Sequence, residues 1–174
     1  MTALRARREP QVLSKMRRIP HLPGFRGKPS VTVQVTSAQQ VTPAVLRMNP
    51  GILYVPMHVL LADSRFCRNL NAKVPVAAVL PRIVHDGQMG KLREDLRNVR
   101  RWGVKEALVG NLGLMLPARE AGMRIHGDYG LNIYNSGSVN VLKKLEFASA
   151  TLSFEMTMPQ IRDVSKLIPC EILV

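Results

Sequence analysis

The sequence predicts an α/β protein built as a parallel β/α (TIM-like) barrel, incomplete, with about seven strands. From residue 29 onward, segments typical of strands alternate with amphipathic segments typical of helices. Gly103 and Gly122 each precede a strand-like segment, at about the spacing of a compact βα unit. Strands that alternate with helices imply right-handed crossovers and a parallel sheet. The sequence has no glycine fingerprint of a dinucleotide-binding sheet, which favours a barrel.

The first three strands are predicted from short segments with strand-like patterns. Residues 30–35 alternate β-branched and polar side chains, which is typical of a strand. Residues 52–55 are apolar and follow the turn signal at residues 49–51. Residues 76–80 form a continuous apolar run, as expected for a strand that is buried on both faces.

The clearest helix is predicted from apolar residues at helical spacing with charges between them, namely Met89, Leu92, Leu96, Val99 and Trp102. Gly103 follows directly and supplies the left-handed residue that commonly ends a helix. A fourth strand is then expected to run to Val109. The order of helix, glycine and strand therefore defines one repeating unit.

The same unit recurs in the second half of the chain. Gly122 precedes a fifth strand that is expected to reach His126. Residues 143–152 repeat the pattern, with Glu146 at the position where a glycine would adopt the left-handed conformation with less strain. Another amphipathic helix follows, marked by Met158, Ile161, Val164 and Leu167, and a seventh strand begins at Cys170.

The number of strands predicts a truncated domain. A β/α barrel closes with eight strands, and the chain ends inside its seventh. We therefore expect a C-terminal truncation, with the remainder of the barrel missing. Because an open sheet edge invites association with other chains, the isolated chain is expected to be poorly behaved.

Composition narrows the class of protein. The 174 residues suffice for one domain with a core, and their hydrophobic content of 46% is ordinary. The longest apolar run, residues 74–80, has the length of a strand rather than of a membrane span. Two distant cysteines, Cys67 and Cys170, indicate neither a disulfide framework nor a self-contained zinc site. A cytoplasmic protein with no membrane partner and no metal site is expected.

Positive charge is concentrated at the start of the chain. The net charge is +13, and residues 1–28 contain most of the excess, with Glu9 as their only acidic residue. We interpret residues 1–28 as a basic, proline-containing arm or linker and residues 29–174 as the partial barrel domain. The arm could attract the phosphates of RNA. It could equally be a solvated linker left from an upstream domain.

Candidate site residues follow from the rule that barrel chemistry lies at the C-terminal ends of the strands. Three acid–base residues are predicted to be catalytic, namely His126, Asp128 and Glu155. Five polar residues at the same end are predicted to bind substrate, namely Arg82, Asn111, Asn132, Asn135 and Ser153. Ser153 lacks the Gly-x-Ser-x-Gly elbow of hydrolases, so a serine nucleophile is not indicated.

Several of these residues also have a purely structural interpretation. Arg82 could bind a phosphate or a carboxylate, or could pair with Asp86. Asn111 could hold a substrate or cap a helix. His126 could be an acid, a base or a ligand, or a hydrogen-bonded histidine inside the barrel.

Two further alternatives concern the carboxylates and the cysteines. Asp128 and Glu155 could form an acid–base pair, or Glu155 could cap the helix near Met158. Cys67 lies in an expected helix and Cys170 in an expected strand, so both are expected to belong to the core.

Five segments in order resemble the collagenase-like peptidase family, peptidase family U32. They are residues 28–35 (KPSVTVQV), 52–56 (ILYVP), 107–113 (ALVGNLG), 126–136 (HGDYGLNIYNS) and 152–156 (LSFEM). The resemblance covers nearly all of residues 29–174. It is strongest to the barrel part of the long members, which have further domains.

The resemblance implies a function for the intact protein. Members are often labelled peptidases of unknown catalytic type, and others act in hydroxylating RNA bases with a requirement for prephenate, or in ubiquinone hydroxylation without oxygen. We therefore expect prephenate-dependent 5-hydroxylation of a pyrimidine in rRNA or tRNA. The alternatives are a collagenase-like protease, which is a hydrolase, or a non-catalytic binding or scaffold fragment.

The resemblance also bears on cofactors. In several members, cysteines beyond the strand that begins here at Cys170 bind an iron–sulfur cluster. A cluster and prephenate are accordingly expected only in the intact protein, and no cofactor is expected in this chain.

Overall fold

The structure, a computed structural model, describes residues 29–172. The predicted basic arm, residues 1–28, lies outside the described residues. Seven parallel strands lie side by side in chain order. They are β1 (Thr32–Gln34), β2 (Ile52–Pro56), β3 (Val76–Val79), β4 (Glu106–Val109), β5 (Arg124–Gly127), β6 (Ser149–Thr151) and β7 (Cys170–Glu171). The sheet curls into an incomplete α/β TIM-like barrel, which confirms the predicted fold class.

Helices provide the connections between the strands. They are α1 (Pro43–Arg47), α2 (Met57–Ala62), α3 (Ser64–Asn71), α4 (Met89–Arg101), α5 (Met115–Glu120), α6 (Ser136–Lys144) and α7 (Met158–Val164). Short 3-10 turns precede several of them. Among the helices of residues 29–172, none has the length and apolar character needed to cross a membrane.

Helix α4 shows why the periodic pattern was informative. Leu92, Leu96 and Val99 lie on one face and are buried against the sheet. Lys91 and Asp95 form an ion pair on the helix surface, with the Lys91 side chain in solvent. Burial of the apolar face therefore determines how the helix packs, because it stabilises the fold more than an exposed ion pair does.

Left-handed residues follow four of the described helices at matching points of the repeat, and Asn49 after α1 has a φ of 47°. Gly103 has a φ of 105° and Gly122 has a φ of 72°. Glu146 takes this position in the third unit with a φ of 56°. A residue with a Cβ atom is strained by about 1–2 kcal/mol in this region. The predicted mismatch at Glu146 is therefore real.

The two faces of the sheet have different characters. Strand residues such as Leu53, Val55 and Ala107 face the helices and form the main apolar core. Tyr54 and Leu108, at inward-facing positions, belong with Ala77 to a small separate cluster inside the curled sheet. Barrel interiors are usually filled by branched apolar side chains. Here several of the remaining inward positions are polar, and these positions are central to the site described next.

Candidate functional site

Arg82, in the loop after β3, is an exposed cation at the C-terminal ends of the strands. Its guanidinium carbon lies 4.3 Å from the centroid of the Tyr129 ring, a cation–π contact between neighbouring loops. The Asn111 side chain donates to the Arg82 carbonyl oxygen over 3.2 Å. Within residues 29–172 the guanidinium forms no ion pair with a carboxylate, so the alternative pairing with Asp86 does not occur. Arg82 is thus held in place with its donors available.

Asp128 lies beside Arg82 and is buried, with 6% of its surface exposed. Its carboxylate accepts a 2.8 Å hydrogen bond from the backbone N–H of Tyr129. Burial raises the pKa of Asp128, although the Tyr129 N–H and the Arg82 charge act in the opposite direction. The site therefore combines an exposed guanidinium with a buried carboxyl group that binds its proton more tightly than usual.

Two glycines allow these loops to approach each other closely. A Cβ atom at Gly110 would lie 3.1 Å from a carboxylate oxygen of Asp128. A Cβ atom at Gly130 would lie 2.9 Å from a terminal nitrogen of Arg82 and 3.1 Å from the Gly110 carbonyl oxygen. Side chains at either glycine would displace the pair, so both glycines contribute to the geometry of the site.

The three asparagines at this end support the loops. The Asn111 side chain accepts from the backbone N–H of Gly113 over 2.9 Å, which is the capping role weighed from the sequence. Asn135 caps α6 by accepting from the N–H of Ser138 over 2.9 Å. Asn132 adopts a left-handed conformation with a φ of 49° and ends a 3-10 turn. These residues position the loops around Arg82 and Asp128.

Ser153 and Glu155 lie apart from this hydrogen-bonded group. Ser153 is buried, and its hydroxyl accepts a 3.4 Å hydrogen bond from the N–H of Glu155. The Glu155 side chain is exposed, and Thr157 with its capping box begins α7, so Glu155 does not cap that helix. In the described part of the chain no hydrogen bond or ion pair joins Asp128 to Glu155. The structure does not bring them together as a bonded acid–base pair.

His126 points into the barrel rather than onto the mouth. It pairs in register with the inward-facing Leu108 and is only 3% exposed. Its Nδ1 atom lies 2.7 Å from the Ser149 hydroxyl, and its Nε2 atom lies 2.6 Å from a carboxylate oxygen of Glu106. The expected position at the strand ends is therefore corrected, because the side chain lies one residue before the end of β5 and faces inward.

Glu171 connects the first and last described strands. One of its oxygens accepts from the Tyr54 hydroxyl over 2.7 Å and from the Ser149 hydroxyl over 2.6 Å. The other accepts from the Thr32 hydroxyl over 3.1 Å. Thr32 lies on β1 and Glu171 on β7, so the carboxylate holds the two edges of the curled sheet together. We call the following six residues the interior network: Thr32, Tyr54, Glu106, His126, Ser149 and Glu171.

The donors and acceptors of the interior network indicate which of its groups carry protons. Burial and the Glu171 charge raise the pKa of Tyr54, so its phenol stays protonated and donates to Glu171. Ser149 also donates to Glu171, and its oxygen lies 2.7 Å from Nδ1 of His126. The hydrogen bond from His126 lowers the pKa of Glu106, so this carboxylate accepts from Nε2.

Ser149, His126 and Glu106 have the connectivity of a hydrolase triad but lack its function in this state. A general base needs a free lone pair facing the nucleophile. The Ser149 hydroxyl instead directs its proton to Glu171, so it does not pass a proton to Nδ1 of His126. Ser149 is also buried, with 6% exposure. The three residues therefore join β4, β5 and β6 rather than forming an accessible nucleophile.

An apolar cleft of about 630 Å³ lies behind the same strand ends, between α2 and α4. Met57, Leu61 and Leu80 contribute to its lining. The charged residues that reach it, Lys91 and Asp95, pair with each other over 2.8 Å. The lining of the cleft is therefore mainly apolar, and the charges of Lys91 and Asp95 neutralise each other.

The described residues do not fit an iron–sulfur cluster. Cys67 is fully buried in α3, and the Cys170 thiol donates to the Ile168 carbonyl oxygen over 3.4 Å. Burial raises the pKa of each thiol to about 11, whereas a cluster ligand must be a thiolate. Among residues 29–172 no three His, Cys, Asp or Glu side chains are grouped to hold a metal ion.

Protonation of Asp128 should affect stability in a defined direction. A carboxyl group whose pKa rises on folding stabilises the fold below its unfolded pKa, ordinarily 3.8, and loses this contribution as the pH rises through the folded value. Asp128→Asn keeps an acceptor for the Tyr129 N–H. We therefore expect it to raise the free energy of unfolding at neutral pH and to have no such effect well below pH 3.8.

Urea unfolding at the two pH values measures this effect. Asp163→Asn is the matched control, because the Asp163 side chain is 80% exposed and paired only with Lys166. A stabilisation by Asp128→Asn that is equal at both pH values would contradict the buried-carboxyl interpretation.

Comparison with known proteins identifies both relatives and fold. The model of one protein family, Peptidase family U32, matches residues 58–174, which is more than half of the chain. No curated protein matches the chain in a sequence search. Among solved structures, the U32 peptidase Mk0906 matches with a TM-score of 0.62 and 11% identity, over 86% of this chain and 70% of that chain.

Two enzymes of other kinds also match. A mutant tryptophan synthase alpha-subunit from Pyrococcus furiosus has a TM-score of 0.56 and 12% identity, over 82% of this chain and 76% of its own. A 3-keto-L-gulonate-6-phosphate decarboxylase from Vibrio cholerae has a TM-score of 0.55 and 11% identity, over 84% and 78%. At these identities the likeness concerns the fold alone.

Proposed function

Because the chain belongs to peptidase family U32, we propose that the intact protein acts in RNA modification in the cytoplasm, by prephenate-dependent 5-hydroxylation of a pyrimidine in rRNA or tRNA. The observation that carries this proposal is Arg82. It is an exposed guanidinium at the barrel mouth, held against Tyr129 and not neutralised by a described carboxylate. Prephenate is a dicarboxylate, and a guanidinium binds a carboxylate through two parallel hydrogen bonds.

Asp128 supports the same proposal as a candidate acid or base. It lies beside Arg82, and burial raises the pKa of its carboxyl group above the ordinary value. The Asn111 side chain donates to the carbonyl oxygen of Arg82, and the Asn135 side chain caps α6 in a neighbouring loop. In this proposal Arg82 binds the anionic cosubstrate and Asp128 transfers a proton, while the asparagines position the loops.

The charge of the protein favours a nucleic-acid substrate. The net charge is +13, and the basic arm of residues 1–28 could neutralise phosphates and release their counterions. The ligands of any iron–sulfur cluster are proposed to lie outside residues 29–172, because the two cysteines are buried or half-buried as thiols.

Nucleoside analysis of cellular RNA tests the proposal. Mass spectrometry of rRNA and tRNA nucleosides from a deletion strain should show the loss of a pyrimidine nucleoside that carries one extra oxygen atom. The complete gene should restore it. A gene that encodes Arg82→Ala should restore little, since losing charge-assisted hydrogen bonds should raise the KM for the anionic cosubstrate roughly 10- to 100-fold.

Arg97→Ala is the matched control, because Arg97 is an exposed arginine on the surface of α4. We expect it to restore the modified nucleoside fully. An unchanged nucleoside profile in the deletion strain would refute RNA hydroxylation as the function.

A peptidase is the second candidate, favoured by the family label and by the contact of Ser149 with His126. A fluorophosphonate probe that labels reactive serines distinguishes the two. We expect no labelling of the wild-type chain, since the Ser149 proton is held by Glu171. Labelling that disappears in Ser149→Ala and persists in Ser165→Ala, a partly exposed serine after α7, would favour the peptidase. Failure of both tests would leave a binding or scaffold role.

A further inference from the structure

Exposed apolar side chains cluster at the barrel mouth. Ile83, Leu112, Tyr134 and Phe154 are 76%, 48%, 41% and 73% exposed. They follow β3, β4, β5 and β6 in that order, at the ends where parallel strands meet one edge of the sheet. We call these four residues the apolar rim. Arg82 directly precedes the first of them, so the apolar rim and the guanidinium share one face of the molecule.

The aromatic residues of the apolar rim are distinctive. Residues 29–172 contain seven aromatic side chains, and Tyr134 and Phe154 are the two that are exposed. They lie on neighbouring segments, because Ile133 pairs with Leu152 in a parallel bridge and the N–H of Ser153 donates to the Ile133 carbonyl oxygen over 2.9 Å. A low aromatic content therefore does not prevent stacking, since the two exposed rings lie on neighbouring segments at the mouth.

We propose that the apolar rim binds unpaired nucleotides of RNA, with bases stacked on Tyr134 and Phe154. This inference rests on the proposed function and adds the substrate class, a single-stranded or looped region. Bases offer an apolar face to exposed aromatic rings only when they are not stacked within a duplex.

Charge favours RNA over another copy of this chain at the apolar rim. The net charge of +13 attracts a polyanion, whereas two copies repel each other. In a contact between two copies of this chain, the Arg82 guanidinium beside the apolar rim would lose its hydrating water without gaining an anion as a partner. RNA supplies both an anion and an aromatic face.

Fluorescence anisotropy with a labelled oligouridylate and the full 174-residue chain tests the inference. Tyr134→Ala and Phe154→Ala should each weaken binding roughly tenfold, the usual loss for one stacked base. Phe154→Trp should retain the affinity. The controls are Val141→Ala on α6 and Met158→Ala on α7, both exposed apolar residues, and they should bind like wild type. Thermal unfolding should confirm that all the variants remain folded.

The outcomes separate this inference from the proposed function. If wild type binds the oligonucleotide and the two aromatic variants bind equally well, the apolar rim is not the nucleotide site, while nucleoside analysis decides the hydroxylation independently. Stronger binding of the same oligonucleotide as a duplex would also overturn the inference. The inference would also be overturned if Phe154→Ala lost self-association in light scattering while its RNA affinity stayed unchanged. The surface would then join two copies of the chain.

Discussion

Glu171→Ala is expected to lower the free energy of unfolding by about 3 kcal/mol. The Glu171 carboxylate accepts from Thr32, Tyr54 and Ser149. Its removal leaves three hydroxyls without their acceptor, and each lost hydrogen bond costs about 1 kcal/mol. The connection between β1 and β7 is lost at the same time. Urea unfolding followed by circular dichroism measures the change.

Glu155→Ala provides the control for this prediction. Glu155 is an exposed carboxylate on the mouth, and its side chain has no partner among residues 29–172. Its replacement should change the free energy of unfolding by less than about 0.5 kcal/mol. If Glu171→Ala proved as mild as Glu155→Ala, the interior network would not contribute to holding the sheet edges together.

His126→Ala is expected to have a comparable effect, about 3 kcal/mol, because it leaves the half-buried carboxylate of Glu106 without its hydrogen-bonded partner. Glu106 would lose a 2.6 Å hydrogen bond, and Ser149 would lose a 2.7 Å one. The space left by the imidazole beside Tyr54 would add the cost of a cavity. Chemical unfolding at neutral pH gives the free energy directly.

Comparison with His58→Ala isolates the contribution of burial. His58 is exposed on α2, so its replacement should be nearly neutral for stability. A variant His126→Ala that is as stable as wild type but inactive would contradict the structural role and restore His126 as a catalytic candidate. A variant that is unstable, with activity recovered at low temperature, would confirm that His126 acts through the fold.

The secondary structure could be predicted from the sequence because its signals are local. The periodic apolar residues of α4 and the left-handed stops at Gly103 and Gly122 depend only on neighbouring residues. Even the unfavourable Glu146 was identified, since a helix that ends before a strand needs a left-handed residue at that point. Parallel order followed from the alternation of elements.

The candidate site could be predicted only in part. Arg82, Asn111 and Asp128 were found because residues just beyond parallel strands share one edge of a sheet. His126 was expected on the same edge, but its inward direction depends on the register of β5. Glu106, at the start of an otherwise apolar strand, was a usable signal. A two-residue period counted from Leu108 would have placed it inside the barrel.

Sequence alone thus determined the α/β class, the strand and helix order, the excess of positive charge and the resemblance to peptidase family U32. Tertiary structure decided which polar groups meet. Glu171 reaches Thr32 across 139 positions of sequence, and no local pattern encodes that contact. Such contacts depend on the register and curvature of the whole sheet, which arise from the packing of all its helices and strands together.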